Sequence, residues 1–373
     1  MQTDIKNRLA EIRRNRGVGA TDLARRVGIS RQTIYAIETG TYIPNTQVTL
    51  RLARELEVQV EELFALEDEK LPTPESLTSE VLSATRLSSG QPVRTCQVGE
   101  HWVSIPVSAS PYYLPEADGV ISKVSRSNSK AGLVVVSKDD IVQKKLVVAG
   151  CDPAISLVTR MVEKLSGAEI LSASASSKLA LSWLKEGKVH VAGTHLEDPE
   201  TGDYNLPYIQ REFPDNDFTV VTFASWEEGF VTAAGNPKEI RRPEHLVKKK
   251  VRFINREQGS GSRLLLDKLL SDSGIPSRNV SGYDQVAYGH LAAAYAVLME
   301  NADCCLATRA AAQTFGLGFV PLRNERYDLV LRKQTLEFPA AQTFIDVLQR
   351  ATLRRKLEVL AGYDTTQTGA ILA

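Results

Sequence analysis

The residues best placed to do chemistry lie in one short stretch, Asn255-Arg256-Glu257-Gln258-Gly259-Ser260-Gly261-Ser262-Arg263. Residues 251–254 before it read as a short buried strand. Leu264, Leu265, Leu266, Leu269 and Leu270 after it read as the apolar stripe of a helix that ends near Gly274. A glycine- and serine-rich turn thus joins a strand to a helix start, where the first amides lack intrahelical partners and the aligned peptide dipoles are positive. Gly259 and Gly261 let the backbone curl and an anion approach. Ser260 and Ser262 add hydroxyl donors, and Arg263 adds charge. That chemistry is the seating of an oxyanion or carboxylate, although the loop alone fits an ordinary capped helix equally well. It is not a P-loop, because no Gly-Lys-Ser/Thr ending follows, and it lacks the third glycine of a dinucleotide fingerprint.

The elements that must position this turn alternate from residue 146 onward between strands and helices, which implies a mainly parallel sheet. Ligands of such sheets sit beyond the carboxyl ends of the strands. Residues 146–149 run into Gly150-Cys151-Asp152-Pro153, residues 170–173 into Ser174, Ser176 and Ser177, and residues 189–192 into Thr194 and His195. A serine after a strand is commonly just an N-cap; repetition at several exits points instead to donors converging on a small anion. Further strands are expected at 218–223 and 230–233, parted by Trp226-Glu227-Glu228-Gly229, and at 303–307, 319–322 and 327–331. A helix at 289–299 and a helical tail from Pro339 complete this half.

Residues 1–66 read as five short helices. Ile5, Leu9 and Ile12 stripe the first, Leu23, Ala24 and Val27 the second. Gly28 supplies a tight turn, and Ser30 caps a third helix over 31–39, closed by Gly40. Two helices joined by a short glycine turn, the second exposing polar residues, follow the helix-turn-helix plan. Between the halves, residues 67–145 read as a polar, proline-bearing linker (67–74) and a small β-rich connector. The connector is expected to hold a short helix at 75–87, a hairpin pairing 93–98 with 102–107 around Gly99-Glu100, and a strand at 133–137.

Composition narrows the class. The chain of 373 residues has room for two or three domains, and 43% hydrophobic with 24% charged residues is ordinary for a soluble globular protein. Its formal net charge of +0 gives no overall field for nucleic acid, and residues 1–66 carry an excess of only about two positive charges. Any DNA contact must come from a local patch, strengthened by dimerisation over two half-sites. No apolar run approaches membrane-spanning length, and the N-terminus lacks a signal-peptide core, so a cytoplasmic protein without a membrane partner is expected. The cysteines at 96, 151, 304 and 305 have no C-x-x-C spacing, so no structural metal and no disulfide framework are expected.

Two resemblances sharpen this reading. The pattern Ala24-x-x-x-Gly28-Ile29-Ser30-Arg31-Gln32-Thr33-Ile34-Tyr35-x-Ile37-Glu38-x-Gly40-x-x-x-Pro44 resembles the lambda-repressor/Cro-like (XRE) family. The family implies that helix 31–39 enters the major groove of an operator, with Arg31, Gln32, Thr33 and Tyr35 facing bases or phosphates. Arginine suits guanine and glutamine suits adenine. Ser30 and Asn45 are candidate phosphate contacts, which set position rather than sequence, and Glu38 is structural.

Residues 146–373 resemble the periplasmic-binding-protein-like domain of bacterial molybdate-metabolism regulators. The resemblance is carried by Ala149-Gly150-Cys151-Asp152-Pro153-Ala154, by the run from Ala192-Gly193-Thr194-His195 to Leu206-Pro207, by Asn255-Arg256 with Gly259-Ser260-Gly261-Ser262-Arg263, by Gly282-Tyr283 and by Gly318-Phe319-Val320-Pro321-Leu322. It implies a two-lobed type II α/β fold, with hinge strands near 225–232 and 318–330, that closes on molybdate or tungstate. Asp152 and Tyr283 join the serines, glycines, Thr194, His195 and Arg263 as candidate ligand residues. Glu228 stands where the family has glutamine, and His290 also departs from its pattern; a carboxylate at an anion site either points away or marks a ligand other than a simple dianion.

The expected whole is multidomain: a helix-turn-helix domain (1–66), the connector (67–145) and the ligand-sensing domain (146–373), acting as a ligand-responsive transcription regulator with no cofactor. The alternative effector is a carboxylate or molybdopterin-type compound, which Arg160, Arg263, His195 and His290 suit better. Catalysis by Asp152, His195, Glu228 and His290, or by Cys304-Cys305, is disfavoured by the absence of any nucleophile-elbow or metal-binding spacing. A DNA-binding scaffold that no longer holds ligand is the remaining reading.

Overall fold

Leu9, Leu23, Ile34, Ile37, Leu52 and Leu56 recur at helical spacing through the first 60 residues, so each short helix has one apolar face to bury. In the computed structural model, which describes residues 5–66, 74–107, 114–136, 145–198, 200–248 and 250–373, those faces meet in one core. The helices are α1 (Leu9–Asn15), α2 (Ala20–Val27), α3 (Arg31–Glu38), α4 (Thr46–Leu56) and α5 (Val60–Leu63). Two short strands, β1 (Ile5–Asn7) and β2 (Phe64–Leu66), pair antiparallel and tie the ends of the bundle together. Gly28 ends α2 in the left-handed region (φ +80°), where a side chain is strained, and thereby makes the turn into α3.

The described residues fall into two compact units that divide between Thr73 and Pro74. The linker expected at 67–74 lies almost wholly outside the described residues. The short helix expected over 75–87 is instead a strand, β3 (Glu75–Val81). Its alternation buries Ser79 and Val81 and half-buries Leu77, a period of two that helical spacing does not give. With β4 (Pro92–Val98), β5 (His101–Pro106), β6 (Gly119–Val124) and β7 (Lys130–Val135) it closes a barrel. Strands β4 and β5 form the expected hairpin, which turns at Gly99 (φ +57°). The barrel does not hang free: Leu82, Val98, Val103 and Ile105 share a core with Val147, Leu171 and Leu184 of the next region.

An eight-stranded mixed sheet forms the rest, in the order β13-β12-β14-β11-β15-β10-β8-β9. Its strands are β8 (Lys145–Gly150), β9 (Glu169–Ser174), β10 (Val191–Thr194), β11 (Thr219–Thr232), β12 (Phe253–Arg256), β13 (Val286–Ala287), β14 (Cys304–Thr308) and β15 (Gly318–Leu331). Parallel strands β8, β9 and β10 make one wing, and parallel strands β12, β13 and β14 the other. The long antiparallel pair β11/β15 runs through both.

Here the sequence expectation needs correcting. Strand β11 (Thr219–Thr232) runs unbroken through what reads as two strands, and so does β15 (Gly318–Leu331). Trp226-Glu227-Glu228-Gly229 looks like a turn by composition, yet Trp226 pairs with Glu325, Glu227 with Asn324 and Glu228 with Arg323. Gly229 is required there by close approach: a Cβ would run into the Val320 carbonyl oxygen. Helices α6 (Ile155–Ser166), α7 (Ser177–Lys185) and α8 (Leu206–Glu212) belong to the first wing, and α9 (Glu244–Lys248), α10 (Gly261–Asp272), α11 (His290–Leu298) and α12 (Arg309–Thr314) to the second. The tail, α13 (Pro339–Leu348) and α14 (Ala351–Lys356), returns to the first wing, where Phe344, Val347 and Leu353 pack with Val158 and Val162. Each wing is thus a lobe with apolar cores on its sheet. Among the described residues no helix is long and apolar enough to cross a membrane.

Candidate functional site

The strand exits of the first lobe face the helix starts of the second. Strand β12 ends at Arg256, the chain turns through Gly259 (φ +81°), and α10 begins with Ser260 as N-cap, its Oγ accepting from Arg263 N at 3.3 Å. Gly261 lies against His195, and a Cβ there would stand 2.5 Å from the ring Cε1. A Cβ at Gly259 would stand 3.3 Å from Ser176 Oγ, and one at Gly289 would stand 3.7 Å from Ser174 Oγ. The lobes are therefore in contact across the sequence-predicted residues. Two cavities line their junction. One, of about 230 Å³, is bordered by Cys151, Asp152, Ser174, His290 and Tyr327. The other, of about 590 Å³, is bordered by Lys178, His195, Gly261, Lys268 and Arg323.

Several predicted ligand residues spend their polar atoms on the fold. Ser176 caps α7 and accepts from Leu179 N (3.4 Å), while Ser177 Oγ accepts from His195 N (3.1 Å). Thr194 Oγ1 donates to Asn205 Oδ1 (3.2 Å). Asp152 Oδ1 accepts from Ala154 N (2.6 Å) and from the Tyr363 hydroxyl (3.2 Å). Arg263 and Tyr283 turn toward each other: the guanidinium lies 4.5 Å from the ring centroid and donates to Arg256 O, and the phenol donates to Asp267. Ser174 is exposed at the cavity rim.

What remains is a set of buried polar atoms with no partner, Arg256 Nη1, both ring nitrogens of His290, Asp152 Oδ2 and Trp226 Nε1, beside a looser group in which the Glu228 carboxyl faces Ser262 Oγ and Glu325. Native interiors leave few such groups unpaired, so the cluster around Arg256 and His290 has bonds to offer a guest. Arg256 is fully buried, and its Nε and Nη2 hold Glu257 at 2.9 and 3.0 Å, which leaves Nη1 free. The sequence reading missed it as a site residue, although it immediately precedes the glycine-rich turn.

Glu228 points inward from β11. Burial first, and then the Glu325 charge, raises its pKa to about 8, so at neutral pH it carries a proton and can donate as well as accept. Glu325 goes the other way, to about 2: its burial is outweighed by His195 and Arg323. Burial alone would depress His195, but Cys151 and Glu325 (Nδ1–Oε2 2.6 Å) hold its pKa well above the ordinary value. His290 is held well below it by burial, then by Arg256 and His195, and is neutral. Burial also lifts Asp152 to about 7. Cys304 and Cys305 are fully buried in β14, and burial raises both thiols far above the range of a reactive cysteine.

In the N-terminal unit the candidate DNA residues stand apart from the core. Arg31, Gln32 and Tyr35 of α3 are exposed, Tyr35 by 69%, and Thr33 is half-buried. Ser30 Oγ caps α3 by accepting from Thr33 N at 2.9 Å, and Asn45 Oδ1 caps α4 by accepting from Val48 N at 3.0 Å. Glu38 turns back to Arg13 (2.6 and 3.2 Å) rather than outward.

Comparison with known proteins bears on both units. Residues 158–349 match the family described as a PBP superfamily domain, and residues 7–69 match a helix-turn-helix domain family. The uncharacterised protein YvgK of Bacillus subtilis is 31% identical over 227 residues, covering 61% of this chain and 73% of that protein. An uncharacterised HTH-type transcriptional regulator of Methanocaldococcus jannaschii is 38% identical over 66 residues, 18% of this chain and 100% of that one. Among solved structures, a putative phosphate ABC transporter substrate-binding protein with bound phosphate from Clostridium perfringens superposes with a TM-score of 0.46 at 13% identity. That match covers 59% of this chain and 98% of the other.

Proposed function

We infer the role of this chain from its membership of the PBP superfamily domain family and from its XRE-type N-terminal helix-turn-helix domain, which make it a DNA-binding regulator with a binding-protein-type ligand domain. From that premise we propose that a small anion, with molybdate or tungstate as first candidates, seats between the lobes and holds them closed. A cytoplasmic homodimer then changes its affinity for a double-stranded operator. Both matched families are of binding rather than enzymatic type.

The observation that carries the reading is the buried, unpartnered Arg256 Nη1 together with Ser262 Oγ, which faces the Glu228 carboxyl, beside the N-terminus of α10. An anion there meets a hydroxyl, a guanidinium N–H and the positive end of a twelve-residue helix. The resemblance of residues 146–373 to molybdate-metabolism regulators supplies the candidate ion. Isothermal titration of the full-length protein with sodium molybdate tests it. Saturable heat and a thermal shift, both lost in Ser262→Ala, are expected; absence of both at millimolar molybdate removes that ion.

A second effector class is favoured by one observation. The protonated Glu228 carboxyl, which faces Ser262 and Glu325, suits a ligand that both gives and takes hydrogen bonds, such as a hydroxylated carboxylate or a molybdopterin-type compound. Native mass spectrometry of protein purified from its host separates these by mass.

A further inference from the structure

The junction of the lobes also holds a set of groups that suits a cation rather than an anion. Cys151 follows β8, His195 follows β10 and His290 opens α11. Together they bring one sulfur and two imidazole nitrogens within 4.8 Å of one another, all three residues buried. Two of the donors belong to the first lobe and one to the second. We infer that Cys151, His195 and His290 bind a borderline transition-metal cation of the zinc class, which ties the two lobes together.

The geometry supports this in three ways. His195 Nδ1 is engaged with Glu325 Oε2 at 2.6 Å, which fixes the ring and leaves Nε2 facing Cys151 Sγ at 3.4 Å. Ligands on a tetrahedral zinc, with Zn–S of about 2.3 Å and Zn–N of about 2.0–2.1 Å, stand about 3.5 Å apart. Glu325, anchored in turn by Arg323 at 2.7 and 2.5 Å, is the carboxylate that a metal-bound histidine uses to set its orientation. His290, 1% exposed, has no partner at either nitrogen; a metal bond to one of them relieves a cost that hydrogen bonding within the chain does not.

Glu228 and Glu325 also group with His195, but the 2.6 Å from His195 Nδ1 to Glu325 is a hydrogen bond, too short for two ligands on one ion. The nearby Arg256 charge, which opposes a cation, is matched by its two bonds to Glu257. On binding, Sγ bonds to the metal as thiolate and the displaced protons leave to solvent. Three protein ligands leave one coordination position for a water or an added ligand.

The test uses full-length protein stripped with a chelator and titrated with Co²⁺. One equivalent should give thiolate-to-cobalt charge-transfer absorption in the near ultraviolet, displaced by Zn²⁺, and Zn²⁺ should raise the melting temperature. Cys151→Ser should abolish the band. His290→Gln should weaken Co²⁺ binding by at least about tenfold, since even partners behind a ligand are worth about that much. No charge-transfer band in the wild type at millimolar Co²⁺ overturns the proposal, as does a band that survives in folded Cys151→Ser. Should Cys151→Ser not fold, unchanged Co²⁺ affinity in His290→Gln overturns it equally. Titration of the metal-free protein with molybdate reads the anion seat separately, so loss of either reading leaves the other measurable.

Discussion

The helix-turn-helix unit and the junction between the lobes treat their polar residues in opposite ways. In the first, Arg31, Gln32 and Tyr35 stand in water on a bundle whose core closes without them. In the second, Arg256 and His290 stand inside with bonds left unmade, next to the Glu228 carboxyl and Ser262. An exposed donor costs the fold nothing and waits for a large partner surface. A buried, unpartnered one costs stability until a guest arrives, so its presence is itself evidence of a site.

Five substitutions can break or sharpen that contrast. The largest effect is expected at Arg256: Arg256→Ala strands Glu257 in the interior and should cost about 3–5 kcal/mol in urea unfolding. A loss below about 1 kcal/mol would mean that the junction is far wetter than its burial implies.

Next comes His190, whose imidazole is buried just before β10 with Nδ1 accepting from Val147 N at 2.9 Å. Burial lowers its pKa to about 4. The unfolded chain therefore binds the extra proton first as pH falls below the ordinary value of 6.5, and stability should drop between pH 6.5 and 4 by roughly 2–3 kcal/mol. His190→Gln should flatten that part of the profile, and an unchanged slope would show that another group carries it.

On the exposed side, Arg31→Ala and Gln32→Ala should each weaken operator binding by about 1–3 kcal/mol if they read bases in pairs of hydrogen bonds. Their unfolding free energies should stay within about 0.5 kcal/mol of wild type. Operator binding that ignores both would remove α3 as the reading helix. The smallest effect is at Glu38, where Glu38→Ala should cost roughly 1–2 kcal/mol of stability through loss of its bonds to Arg13, with little direct change at bases.

How much could be read from the chain follows the same division. Short helices with caps, such as Ser30 and Asn45, write their boundaries locally, and the apolar spacing of α1 to α4 fixes their inner faces. The wings of the sheet and the turn into α10 were legible for the same reason. The long strands β11 and β15 were not, because Glu227, Glu228 and Gly229 resemble a turn until a partner strand stands beside them. Residues 75–81 carry a two-residue alternation that their composition alone does not separate from a helix.

At the junction the serines were legible as strand exits, but the use of each hydroxyl was not: Ser176, Ser177 and Ser260 are used in local bonds, Ser174 is exposed at the rim, and Ser262 faces Glu228. Cys151, His195 and His290 lie far apart in the chain and have no motif spacing; only the packing of one lobe on the other brings them together. Arg256 carries a signal, a basic residue just ahead of a glycine-rich helix start, which Arg263 inside the turn shares.

The central claim is that a guest in the lobe junction and DNA on α3 are linked, and linkage is reciprocal. Operator affinity measured by fluorescence anisotropy, on DNA selected with this protein, should change by about fivefold or more when saturating molybdate is added. The same factor should appear in molybdate affinity when operator is present, and it should vanish in Ser262→Ala. Identical operator affinity with and without bound molybdate, in a protein that calorimetry shows to be loaded, would contradict the account.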